Sequence, residues 1–109
     1  SKATYFYIGS YNNLDIATLK SPNYAYAIYK ENGIYKIVIG IYTQNESIDL
    51  METYFHNQGI SFNKNTMKVA SKFYKDCSHL ELLIKNGNYS YPSINESILK
   101  LFNEYNNPY

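Results

Sequence analysis

The sequence predicts an α+β fold: a four-stranded antiparallel sheet in β-α-β-β-α-β order, followed by two further helices. Three observations carry this. Runs rich in β-branched and aromatic residues recur, an Asn-Gly pair separates two of them, and the apolar spacing becomes helical in the last third of the chain. The first strand is expected over 4–11 (TYFYIGSY), closing at Asn12-Asn13. A short helix follows over 13–19, with Leu14, Ala17 and Ile16 on one side, and Ser21-Pro22-Asn23 ends it. Strands over 24–30 (YAYAIYK) and 34–42 (IYKIVIGIY) flank Glu31-Asn32-Gly33, and Asn-Gly between two apolar runs is a strong hairpin signal because both residues tolerate positive φ.

A second helix is expected from Asn45 to Gln58. Ile48, Met51 and Phe55 recur at helical intervals, with Asn45 as N-cap and Gly59 as the stop. A weaker fourth strand lies within 60–69. Beyond Val69, Phe73, Cys77, Leu80 and Ile84 fall at helical spacing, followed by the loop Asn86-Gly87-Asn88. Ser93-x-x-Glu96 after Pro92 then reads as a capping box opening a helix with Ile94, Ile98, Leu101, Phe102 and Tyr105, and residues 106–109 as a frayed end. Residues 1–70 thus form the β-α-β-β-α-β unit, and 71–109 a helical extension docked on the same domain, since two amphipathic helices cannot bury their stripes alone.

At 109 residues the chain has room for one domain. Its apolar share is 45%, though 14 of those residues are Tyr, and the abundance of Tyr, Asn, Ile and Lys fits an AT-rich genome. Net charge is +1, with ten Lys and no Arg, which argues against nucleic acid as a partner. No run approaches a membrane span. The chain enters a strand almost at once, as expected of a fragment from a longer protein whose anchor lies upstream.

Catalytic and metal patterns are sparse, so no enzyme, metal or cofactor is expected. Glu52 and His56 sit one helical turn apart, but two ligands make a poor metal site. Cys77 and His79 would diverge on a helix, giving a core cysteine and a surface histidine. The Asn-x-Ser matches at Asn45, Asn88 and Asn95 are expected by chance in so Asn-rich a chain.

What remains is a surface. Helices on one side of the sheet leave the other face open. Alternation places Tyr35, Ile37, Ile39 and Ile41 on the helix side with Phe6 and Ile8, and turns Tyr5, Tyr7, Lys36 and Val38 outward. If Lys30 points outward, Tyr24, Tyr26 and Ile28 join them, with Ala25 and Ala27 under the helices. Tyr rings suit stacking on sugars or bases.

Two Gly-punctuated segments carry a family resemblance. Phe6-Tyr7-Ile8-Gly9-Ser10-Tyr11 resembles the V-Q-V-G-S-F opening of the sporulation-related repeat (SPOR) domain, and Tyr35-Lys36-Ile37-Val38-Ile39-Gly40-Ile41-Tyr42 resembles its second signature, Y-R-V-x-V-G-P-F. Ala17 falls where the family has a small residue. The likeness covers about residues 4–69 and implies a SPOR-like (ferredoxin-like) unit that binds peptidoglycan glycan strands through its open sheet face and targets its parent to a division or sporulation septum. It also implies an extracytoplasmic setting. By position, Ser10 matches the family's Ser and Lys36 its basic residue, while Tyr7 replaces Gln and Ile41 replaces Pro. The expected glycan-binding face is then Tyr7, Ser10, Lys36 and Val38, with Tyr5 and Tyr26. The alternative is a protein-interaction domain of a spore or envelope assembly with this face covered, and burial of Val38 and Tyr7 under the C-terminal helices would favour it. An RNA-recognition domain shares the element order but needs stacking aromatics and basic flanks that strand three lacks.

Overall fold

Asn32 and Gly33 turn the chain with φ of 52° and 78°, the left-handed pair that a two-residue hairpin requires. Around them, the computed structural model, which describes residues 1–85 and 90–105, builds a four-stranded antiparallel sheet and four helices. In chain order these are β1 (Lys2–Tyr11), α1 (Leu14–Leu19), β2 (Ala27–Glu31), β3 (Ile34–Tyr42), α2 (Asn45–Asn57), β4 (Asn63–Lys68), α3 (Ser71–Lys85) and α4 (Tyr91–Tyr105). The strands lie in the order β2-β3-β1-β4. The expected loop at 86–88, the Asn88 sequon and the frayed end at 106–109 lie outside the described residues.

Directly opposed residues of an antiparallel pair share a face. Tyr7 and Ala27 both oppose Val38, Tyr29 and Ser10 oppose Lys36, and Tyr5 opposes Ile41. One face therefore carries Tyr5, Tyr7, Ala27, Tyr29, Lys36, Val38 and Ile41. The other carries Phe6, Gly40 and Tyr42, where α2 packs: the Phe55 ring meets Phe6 at 5.3 Å and 64°. Gly40 gives that helix its room, since a Cβ there would stand 3.2 Å from both Phe55 and Asn95.

Strict alternation fails at one place in β3. Phe6 opposes Gly40 and Tyr7 opposes Val38, so Ile39 is an extra residue. This β-bulge brings Ile41 onto the Val38 face and turns Tyr42 to the α2 side, correcting the expected grouping of Ile41 with Ile37. A second shift falls between Tyr7 and Ser10 of β1. In the edge strand β2 the register settles the facing that alternation leaves open, against the arrangement conditional on Lys30: Ala27 and Tyr29 share the face of Lys36, and Ile28 opposes Ile37. β2 also starts three residues later than the alternation suggests, leaving Tyr24 and Tyr26 outside the sheet.

α3 and α4 explain that short strand. Past Val38 the outer edge of β3 has no strand partner, and the helices take its acceptors: Asn95 Nδ2 donates to the Ile39 carbonyl at 2.8 Å, and the Cys77 thiol lies 3.7 Å from that of Ile41. From this edge α4 reaches the Val38 face, where the Phe102 ring meets Tyr29 at 6.0 Å and Phe73 of α3 at 6.0 Å, both near-perpendicular. Tyr5, Val38, Ile41, Ile98 and Phe102 belong to one buried cluster with α2's Met51 and Phe55. The core is thus continuous around both sides of the sheet.

Helix ends depart from expectation in three places. α1 is capped by Asn13, whose Oδ1 accepts from the Asp15 amide at 2.7 Å, but six residues bury only Ala17; Leu14 and Ile16 are exposed. α2 has its N-cap at Gln44, one residue before Asn45, with no side-chain capping bond, and Gly59 ends it at φ 73°. α4 begins at Tyr91 rather than Ser93. Ser90 Oγ accepts from the Ser93 amide at 3.4 Å, and Glu96 pairs with Lys100 instead of closing a capping box.

Candidate functional site

The expected site residues do assemble on one face, but that face is not open. Lys36 Nζ donates to the Tyr5 hydroxyl at 2.8 Å, sits 4.9 Å from the centre of the Tyr7 ring and 5.4 Å from that of Tyr5, and pairs with Glu31 at 3.4 Å. Tyr29 adds its ring to Tyr5 at 5.6 Å and its hydroxyl to Glu31. The cation thus has a phenol, the Tyr7 ring and a carboxylate within the chain, and its side chain is 13% exposed. The Tyr5 hydrogen bond holds the ammonium above its ordinary pKa, while burial works against it.

Tyr5 and Val38, expected to face solvent, are both 0% exposed, which corrects their place in a ligand-lining surface. The reason is the roof: Phe102 and its neighbours occupy the space a ligand would need. Tyr7 is half-buried and Ser10 exposed, at the hairpin end of the face beyond the helices. Tyr26 stands apart from all of these, in the irregular segment before β2.

Two polar residues of the helical pair, Glu81 and Asn95, take structural roles that the sequence does not assign them. Glu81, 2% exposed, places its carboxylate at the start of α2, where it accepts from the amides of Thr43 at 3.1 Å and Gln44 at 3.0 Å and from the Thr43 hydroxyl. It bonds the N-cap amide of Gln44 as the carboxylate of a capping box does, here from another helix, and sets an anion at the positive helix end. Its signal was a charge inside the apolar stripe Phe73, Cys77, Ile84. Asn95 donates to Ile39 and accepts from the Tyr42 hydroxyl at 2.6 Å. Burial pushes that phenol well above its usual pKa and keeps it a donor.

The remaining chemistry is muted. Burial, with the Glu81 carboxylate 3.5 Å away, pushes the Cys77 thiol far above its ordinary pKa, so no thiolate forms near neutrality. Cys77 is therefore expected to resist a thiol reagent such as DTNB in the native chain and to react once denaturant unfolds it; fast native labelling would contradict this burial. His79 and His56 are exposed, and Glu52 pairs with Lys64 of β4. No group of three metal-ligating side chains occurs among the described residues, nor any helix long and apolar enough to cross a membrane.

Concave surface lies along α4 instead. A depression of about 490 Å³ separates Tyr24 and Tyr26 from Leu99 and Asn103, and one of about 410 Å³ lies over Leu50, Tyr54 and Tyr91. Comparison of the chain with protein-family models, curated proteins and solved structures finds no match.

Proposed function

We propose that this chain is a non-catalytic interaction module that docks a partner protein, built on a SPOR-like unit whose sheet face is filled by its own C-terminal helices. The observation that carries the reading is the complete burial of Val38 and Tyr5 beneath the α3–α4 pair, with Lys36 satisfied inside the chain. A face that stacks on sugars has to present its rings, and here only the Tyr7–Ser10 end does so. The strand order β2-β3-β1-β4 and the two Gly-punctuated strands support the SPOR likeness, and a cell-envelope or sporulation assembly is the setting that likeness implies.

A pull-down on amidase-treated peptidoglycan tests this. The chain is expected to be retained no better than an unrelated control protein. A second reading has one observation in its favour: Ser10 is exposed beside half-buried Tyr7, at the positions that the family resemblance assigns to glycan contact. Retention lost on Ser10→Ala or Tyr7→Ala would replace the docking reading with that one.

A further inference from the structure

β4 is the open border of the sheet. At the other border α4 packs on β2 and the helical pair takes the acceptors of β3. β4 pairs with β1 alone and exposes every residue but Met67. Which of its main-chain groups point outward follows from the register. The Val69 amide donates to the Ser1 carbonyl at 2.9 Å, and Lys2 opposes Lys68, so Ser1–Val69 is a hydrogen-bonded pair and Lys2–Lys68 a non-hydrogen-bonded one. Alternation carries that phase along the strand: Asn63, Asn65 and Met67 turn their amides and carbonyls to β1, while Lys64, Thr66 and Lys68 turn theirs outward. Such a row is a template for another strand. A second copy of this chain is the partner always at hand, through β4 against β4 about a two-fold axis.

Two features work against that pairing. Thr66 is the middle one of the three outward residues, so an extended pairing has to draw on its amide. That amide already donates to Asn65 Oδ1 at 2.8 Å, and a carbonyl from another strand would have to displace this bond. Charge is the second obstacle. A pairing centred on Thr66 sets Lys64 of each copy against Lys68 of the other, and like charges directly opposed on two strands repel. Lys64 has Glu52 beside it, but Lys68 already stands opposite Lys2, and neither of these two has a carboxylate partner among the described residues.

We infer that Asn65 and the Lys64–Lys68 pair guard the β4 edge, keeping this chain from adding its sheet to that of a second copy. The edge so guarded is a border at which the chain does not associate, whether or not a partner protein docks elsewhere. Asn65→Val/Lys68→Thr, at two exposed positions, removes the guard in the intact chain, and sedimentation velocity follows the result. Across a two-fold axis each obstacle counts twice, so self-association is expected to tighten by about a hundredfold. Adding Thr66→Pro should abolish that gain, because proline is tolerated where the amide faces out of the sheet and has no N–H to offer. An Asn65→Val/Lys68→Thr chain that sediments as the unsubstituted one does, with Cys77 still protected from DTNB, would overturn the inference. So would association that survives Thr66→Pro, or a dimer of the unsubstituted chain that Thr66→Pro dissolves. Amide exchange in the unsubstituted chain adds a readout that needs no variant. Relative to their intrinsic rates, the Thr66 amide is expected to exchange about fivefold more slowly than those of Lys64 and Lys68; equal rates would overturn the Asn65 guard.

Discussion

Replacing Glu81 with Ala is expected to lower the unfolding free energy by about 2–4 kcal/mol, read as a drop in the urea midpoint at unchanged slope. The carboxylate accepts from two main-chain amides and a hydroxyl at the junction of β3 and α2, and Gln44 offers no side chain of its own in its place. Removing it leaves those donors facing a buried gap beside Cys77, at the positive end of a 13-residue helix. Glu81→Gln keeps one acceptor oxygen and loses the charge, so its loss should be about half as large. A Glu81→Ala variant as stable as the parent would mean that α2 starts without help from α3, and that the contact between the extension and the sheet unit is incidental.

Phe102→Ala is expected to cost about 3–5 kcal/mol. The ring is fully buried between Tyr29 of the sheet and Phe73 of α3, so its removal opens a cavity at the point where the helical pair closes over the Val38 face. The loss should appear as a single cooperative transition, because one hydrophobic cluster joins the sheet to both helices. A separate early melt confined to helical signal would show instead that the sheet unit stands alone.

These two side chains also mark the boundary of what the sequence makes legible. The Asn32-Gly33 turn and the Gly59 stop are local devices, each fixed by the backbone angles its residues allow, and each reads directly. Period-2 alternation likewise groups Tyr5, Tyr7, Lys36 and Val38 on one face, and the Lys36–Tyr5 hydrogen bond lies among that group. The bulge at Ile39 does not read, because a two-for-one pairing exists only once β1 is laid beside β3. Nor does the end of β2 at Ala27, where Asn95 and Cys77 occupy the edge that Tyr24–Tyr26 would otherwise extend.

The amphipathic stripes of α3 and α4 show that these helices must dock, while nothing in either stripe states where. Glu81 was the available clue. A carboxylate at the fourth place after Cys77 has no use in an apolar stripe unless a set of buried donors awaits it. Asn95, set between Ile94 and Ile98 on a buried helix face, is the same kind of signal.

The roofed sheet face can be tested most directly by solvent paramagnetic relaxation in the intact chain. With a soluble nitroxide such as TEMPOL, the Val38 methyl signals should keep their intensity, as those of Ile98 do, while the exposed methyls of Leu19 broaden away. Broadening of Val38 to the extent seen for Leu19 would mean that the platform lies bare to solvent, contradicting the docked helices and with them the protein-docking account.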